Sequence, residues 1–187
     1  MPGRVKTRLA VRLGMEGAAA VYTMFVRLLL HRLPTITDCE LHLDMPTDAF
    51  AGSQVSVRMQ GQGNIGERMY FALEQALGEN RPVAAIIGSD APTLPDSAIA
   101  NLLNIDADIA LGPAEDGGYW GIAARRTHPK MFEGVRWSTA HALEDTEAAC
   151  RAAGLSVVRG DLWFDVDEPE DLDRVAGLLE KCGSVIL

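Results

Sequence analysis

Val83-Ala84-Ala85-Ile86-Ile87 is an unbroken apolar run that ends at once in Gly88-Ser89-Asp90-Ala91-Pro92. A run of this kind has the pattern of a strand buried on both faces, as in a parallel sheet. Helix-like and strand-like patterns alternate around it. Ala18, Tyr22, Phe25, Leu29 and Leu33 recur at spacings of three or four, which predicts a helix over 16–33, stopped by Pro34. Further helices are expected at 66–77, 95–103, 139–153 and 168–181. Strands are expected at 40–43, 54–58, 83–87, 108–111, 119–124 and 155–158. Alternation of this sort implies a parallel or mixed sheet with helices on both faces. Ligands of such sheets bind beyond the carboxyl ends of the strands, so the loops after strands are the place to look.

The chain has 187 residues, enough for a single domain with one buried core. Its formal net charge of −9 opposes binding to nucleic acid outside a local basic patch. The one such patch, Arg4, Lys6, Arg8 and Arg12, could serve a phosphate group but is thin for a duplex. No unbroken apolar run approaches the roughly 18 residues needed to span a bilayer. Met1 is followed by polar and basic residues, so no signal peptide is read and a cytoplasmic location is expected. Cys39, Cys150 and Cys182 are far apart and form no CxxC pair, which argues against a zinc site and against a disulfide framework.

Asp90 stands at the end of the apolar strand, where a carboxylate can reach a ligand or Mg²⁺. The competing reading is a turn Asp bonding its own backbone before Pro92. Asp165-Val166-Asp167 places two carboxylates on one face of an extended segment. Alone, Asp167 is better explained as an N-cap, with Pro169 in the first turn and Glu170 closing a capping box. Gly3-Arg4-Val5-Lys6-Thr7-Arg8 is a glycine-led basic loop that could neutralise phosphate oxygens. It lacks P-loop spacing and by itself reads as an exposed basic segment. Gly61-Gln62-Gly63-Asn64-Ile65-Gly66-Glu67-Arg68 leads into a helix whose first amides favour anions, or is a plain loop. Glu115-Asp116-Gly117-Gly118-Tyr119 is either a ligand-approached turn or a hairpin, and can be both. Trp137-Ser138-Thr139 reads first as an N-cap, with a substrate role for Trp137 open. The four histidines show no ligand spacing.

Taken together, PGRVKTRL at 2–9, NIGERM at 64–69, GSDAPTLP at 88–95, LGPAEDGGYWGI at 111–122, RWST at 136–139 and FDVDEPEDL at 164–172 resemble one family. It is the glycosyltransferase-like "transferase 1" family associated with radical-SAM and selenium-domain proteins, within the nucleotide-diphospho-sugar transferase superfamily. That family is similar to the guanylyltransferase of 2-phospholactate and, more distantly, to molybdenum-cofactor guanylyltransferases. The resemblance covers nearly the whole chain. It implies a GT-A-like, Rossmann-related, mostly parallel mixed sheet in three layers, binding a nucleotide-sugar or nucleoside triphosphate with Mg²⁺ or Mn²⁺.

The resemblance also implies roles for particular residues. Gly3, Arg4, Lys6 and Arg8 would lie along the phosphates, with Lys6 the main charge partner. Gly66, Glu67 and Arg68 would lie near the base and ribose. Asp90 with Asp167, or Asp165 beside it, would hold the metal. Asp116, Gly117, Gly118, Tyr119 and Trp137 would line the sugar or acceptor pocket. Two reactions fit, glycosyl transfer and nucleotidyl transfer with loss of pyrophosphate; a non-catalytic nucleotide-binding relative is the rival from another class. Relatives carry an apolar strand before the PGRVKTRL motif, whereas here Met1 directly precedes Pro2. The expectation is a sheet without that strand, unless Ser184-Val185-Ile186-Leu187, or a second copy in a homodimer, supplies one.

Overall fold

The computed structural model describes residues 2, 3 and 5–181. Arg4 and the segment 184–187, expected at the phosphates and as a substitute strand, lie outside the described residues. In chain order the elements are α1 (Ala10–Arg32), β1 (Glu40–Leu43), β2 (Ser56–Met59), α2 (Ile65–Gly78) and β3 (Ala84–Ile87). They continue as α3 (Asp96–Asn104), β4 (Ile109–Pro113), β5 (Tyr119–Ala124), α4 (Ala142–Ala152), β6 (Val157–Arg159) and α5 (Pro169–Lys181).

The strands form two sheets. β1 and β2 pair in parallel by themselves. The larger sheet has the order β3-β5-β4-β6. β4 and β6 pair in parallel, while β5 runs antiparallel to both β3 and β4. The apolar run at 83–87 is therefore not a central parallel strand. Among the described residues β3 is an edge strand hydrogen-bonded to β5 alone, and Ala85 in its middle is exposed. The hairpin signal at Asp116-Gly117 explains the reversal, because a short turn joins β4 to β5 as antiparallel neighbours.

Side-chain alternation sorts the core into layers. Ile109, Leu111, Ile122 and Ala124 face α2 and α4, meeting Leu73, Leu143 and Cys150. Ala110 and Ala123 face the other way, toward Ala98, Ile99 and Leu102 of α3. Trp120 breaks the alternation. Gly112 pairs with Gly121 and Pro113 pairs with Tyr119, so Trp120 is one residue too many on β5. This β-bulge turns the indole onto the α3 face, where it is 1% exposed and its Nε1 donates to the Asp161 carbonyl at 2.9 Å. The indole lies flat over Gly112, where a Cβ would come within 2.2 Å of the ring. On its other edge β5 stays in register with β3, and the Gly88 amide donates to the Trp120 carbonyl at 2.7 Å as the next rung of that ladder, tying the loop after β3 to the sheet.

A third core cluster joins α1 and α5. Leu9, Ala18, Phe25, Phe164, Val166 and Val175 are buried together. Within 10–35 the chain reaches a mean hydropathy of 1.4, long and apolar enough by composition to cross a bilayer. That corrects the reading from unbroken runs. In this fold the helix buries Ala18, Phe25, Val26 and Leu29 against protein. Gly14, at φ 71°, breaks it near its start. The continuous helix thus begins close to residue 16, as the periodicity predicts.

Gly112→Ala should lower stability by about 1–3 kcal/mol, because a rigid ring rather than a flexible chain end must move. Urea unfolding followed by tryptophan fluorescence measures it, and an unchanged midpoint would show that the bulge relaxes freely.

Candidate functional site

The site assembles at the carboxyl ends of β3 and β4, where an extended strap crosses between them. At one end of the strap the Trp163 amide donates to the Pro113 carbonyl at 3.0 Å, and the Trp163 carbonyl accepts from the Glu115 amide at 3.1 Å. At the other end the Val166 amide donates to the Asp90 carbonyl at 2.9 Å. Phe164 and Val166 are buried in the core shared by α1 and α5. Alternation along an extended backbone then turns Asp165 and Asp167 to the opposite side, toward Asp90. Arg174 of α5 steadies the arrangement. Its guanidinium lies 3.5 Å from the centre of the Phe164 ring and donates to both carboxylate oxygens of Glu115 at 2.7 and 2.8 Å.

Asp90 and Asp167, expected to share a cation, do converge. The Lys6 ammonium donates to Asp90 Oδ2 at 3.1 Å and to Asp167 Oδ1 at 2.5 Å. The Lys6 side chain is 7% exposed, against 36% and 43% for its two partners. Burial lowers the Lys6 pKa, but the charges of Asp90 and Asp167 and the bonds to them outweigh it, and the net shift is upward. Lys6 is a non-glycine residue at φ 45°, a left-handed conformation that persists only when its surroundings enforce it. The lysine read as the phosphate partner is thus engaged by the two acids read as metal ligands.

Asp165 completes the cluster. Its Oδ1 is buried without a hydrogen-bond partner. Burial, followed by the charges of Asp90 and Asp116, pushes its pKa up to about 7, with Lys6 pulling the other way. Asp116 therefore belongs to the acidic rim, and its Oδ1 accepts from the Gly118 amide at 2.8 Å in a local turn. Gly117, at φ 87°, packs against the backbone of Ala140, where a Cβ would lie 2.3 Å from the carbonyl oxygen. That contact locks the turn to the segment before α4.

The N-cap expected of Asp167 is a correction. α5 begins at Pro169, and Asp171 supplies the carboxylate, accepting from the Asp167 amide at 3.0 Å and the Glu168 amide at 2.8 Å. Asp167 is thereby left free to face Lys6. Neither Ser138 nor Thr139 caps α4, whose N-cap residue is His141. The helix starts at Ala142, and the Thr139 hydroxyl donates to the Arg136 carbonyl at 2.7 Å.

A cavity of about 310 Å³ opens beside the cluster, lined by Val5, Lys6, Thr7, Arg8, Tyr22, Asp90 and Asp167. Gly3 precedes this loop, its backbone at φ 76°. Arg8 sits at the mouth, its guanidinium 3.1 Å from Glu168 Oε1. Tyr22, which periodicity assigns to the core face of α1, is on the cavity wall, where its hydroxyl meets that of Ser89 at 2.6 Å. A polar tip on an otherwise apolar helix stripe is the signal that could have identified it.

The other predicted residues lie elsewhere. Gly66 and Glu67 help line a second cavity of about 450 Å³, with Tyr70, Phe71 and Phe132. The Glu67 carboxylate is spent on a capping box with Asn64. Arg68 donates to Gln60 Oε1 at 2.7 Å. Among the described residues no hydrogen bond or ion pair connects these three to Asp90, Asp165 or Asp167. Trp137 packs between Tyr119 and Phe132. The Tyr119 hydroxyl is turned inward, 3.5 Å from the Thr146 hydroxyl, and burial raises its pKa.

Among the described residues no three His, Cys, Asp or Glu side chains form a ready-made metal cage. The converging donors are carboxylate oxygens, which suit a hard divalent cation completed by phosphate oxygens.

A solved structure from Desulfovibrio desulfuricans G20, described as a "putative nucleotide-diphospho-sugar transferase", is similar with a TM-score of 0.83 and 28% identity. The match covers 97% of this chain and 93% of that one. The chain belongs to the family described as "Uncharacterized protein conserved in bacteria (DUF2064)", whose sequence profile matches residues 36–139. No curated protein sequence matches it.

Asp165 yields a stability prediction. Its folded pKa is raised above the unfolded value near 3.9. Folding is therefore favoured by its protonation below that value, and the benefit is lost as pH rises through about 7. Asp165→Asn should raise Tm by a few degrees at pH 8 and leave it nearly unchanged below pH 4. Thermal melts across that range test it, and a gain independent of pH would contradict it.

Proposed function

We propose that the protein is a glycosyltransferase that uses a nucleotide-sugar donor and a divalent cation, Mg²⁺ or Mn²⁺, held by Asp90 and Asp167 with Asp165 beside them. The single observation that carries this reading is the convergence of Asp90 and Asp167 on one positive charge at the carboxyl rim of the sheet. The fold shared with the D. desulfuricans protein supports it. When bound, the cation would neutralise the donor's diphosphate and stabilise it as a leaving group.

The chain's own residues would position the reactants. Asp90 and Asp167 orient the diphosphate at the strand ends, and Thr7 and Arg8 border the cavity that receives it. The Asp116–Gly118 turn, whose carboxylate acts on Asp165, would meet the sugar or the acceptor. An acceptor hydroxyl would attack the anomeric carbon and release its proton to solvent, the bond from that carbon to the diphosphate oxygen would break, and the nucleoside diphosphate would leave. Catalysis of this kind is mostly orientation and charge stabilisation.

Calorimetric titration with UDP-glucose, GDP-mannose, GTP and CTP, with and without Mg²⁺ or Mn²⁺, tests the reading. At least one nucleotide-sugar should bind in a cation-dependent manner, and Asp90→Ala should weaken it about tenfold or more, about 1.4 kcal/mol, without loss of fold. Identical titration curves for the variant would remove Asp90 from the site. Turnover of GTP or CTP with pyrophosphate release, and none with sugar nucleotides, would replace glycosyl transfer with nucleotidyl transfer.

A further inference from the structure

We infer that Lys6 is a built-in counter-ion that holds the Asp90–Asp167 pair ready for a divalent cation and is displaced from it when that cation binds. The inference rests on the metal-dependent reading above and specifies how the site changes state.

The ammonium engages Oδ2 of Asp90 and Oδ1 of Asp167, the two oxygens that converge on a single point. Mg²⁺ binds carboxylate oxygens at about 2.0–2.1 Å, so it would take the same position, and two positive centres cannot share it. Charge balance favours the exchange. Lys6 bridges two carboxylates with one positive charge, and beside them Asp165 Oδ1 is buried with no donor. One ammonium leaves the Asp90–Asp167 pair with a net negative charge, and a divalent ion neutralises it.

The lysine is also built to leave. Its charge sits on a flexible four-carbon stem. Its backbone, at φ 45°, adopts a sparsely populated conformation, and the two ion pairs are what hold the ammonium at its present position. The cavity that begins at Lys6, walled by Thr7, Arg8 and Tyr22, is where the released ammonium can go. Phosphate oxygens bound there would meet Lys6 only after the exchange. The pairing with acids in this structure and a pairing with phosphates are then two states of one residue.

The test uses Mn²⁺ alone as the probe and reads the lysines directly. The chain has only Lys6, Lys130 and Lys181, and Lys130 is 70% exposed, so it is an internal reference. In wild-type protein Lys6 should resist amine acetylation without cation and become severalfold more reactive with Mn²⁺, while Lys130 stays constant by peptide mass spectrometry. By electron paramagnetic resonance, Lys6→Met should bind Mn²⁺ about tenfold more tightly than wild type, the size expected when two mutually exclusive charges are uncoupled. The labelling uses the wild-type chain, so it stands even where the variant folds poorly. If Mn²⁺ binds in an Asp90-dependent way while Lys6 stays protected and Lys6→Met gains no affinity, the lysine is a fixed structural cation. The exchange is then overturned while the metal site stands. If neither protein binds Mn²⁺, the exchange is overturned, and the metal dependence of the proposed function is decided separately by the titrations with nucleotide present.

Discussion

Two carboxylates held by one lysine, with Asp165 and Asp116 close by, set the terms for the rest of this molecule. Two like charges 4 Å apart repel by about 4 kcal/mol at an effective dielectric constant of 20. A rim carrying Asp90, Asp116, Asp165 and Asp167 holds its shape only if something rigid resists that repulsion and something positive offsets it. The rigidity comes from backbone hydrogen bonds and a buried apolar anchor. The positive charge is Lys6. The raised pKa of Asp165 has burial as its main cause and the neighbouring charges of Asp90 and Asp116 as the next. Such a cluster costs stability, which is why its convergence at a strand-end rim points to a ligand.

The strap at 163–167 converts core packing into site geometry. Phe164 and Val166 sink into the cluster with Phe25 and Val175. Burying side chains of that size contributes about 1.5–3 kcal/mol each, enough to hold the intervening acids outward. The bulge at Trp120 acts at the other end of the site. One extra residue on β5 sends an indole to the α3 layer, while the carbonyl of the same residue continues the β3 ladder to the Gly88 amide, two residues before Asp90. Asp171 takes over the helix cap and so releases Asp167 for the rim. Each device is a packing or capping event with a consequence for where a carboxylate points.

Much of this was legible in the chain because the signals are local. The strands β1 and β5 fall on the expected residues, and α2, α3 and α5 are offset by a residue at their ends. Asp90 at a strand end, and Asp165 with Asp167 on one face, follow from a turn and a two-residue period. The lone β3 edge was not legible, because an apolar run of that length looks the same whether its neighbours are parallel or antiparallel. The bulge was hidden as well, since it depends on how Gly112 and Gly121 fall into register across two strands. Tyr22 fits the apolar stripe of its helix, and that stripe hides the role of its hydroxyl, which meets Ser89.

The sequence by itself determined which segments are helix or strand and which acids share a face, because helical and strand periods are properties of neighbouring residues. It also determined that the acids follow strands, since the turn residues stand next to them. Only the tertiary structure decided that Lys6 would meet Asp90 and Asp167. Those contacts span 84 and 161 positions along the chain. No local period reaches that far; the match is made when the sheet, the strap and the N-terminal loop close on the same rim.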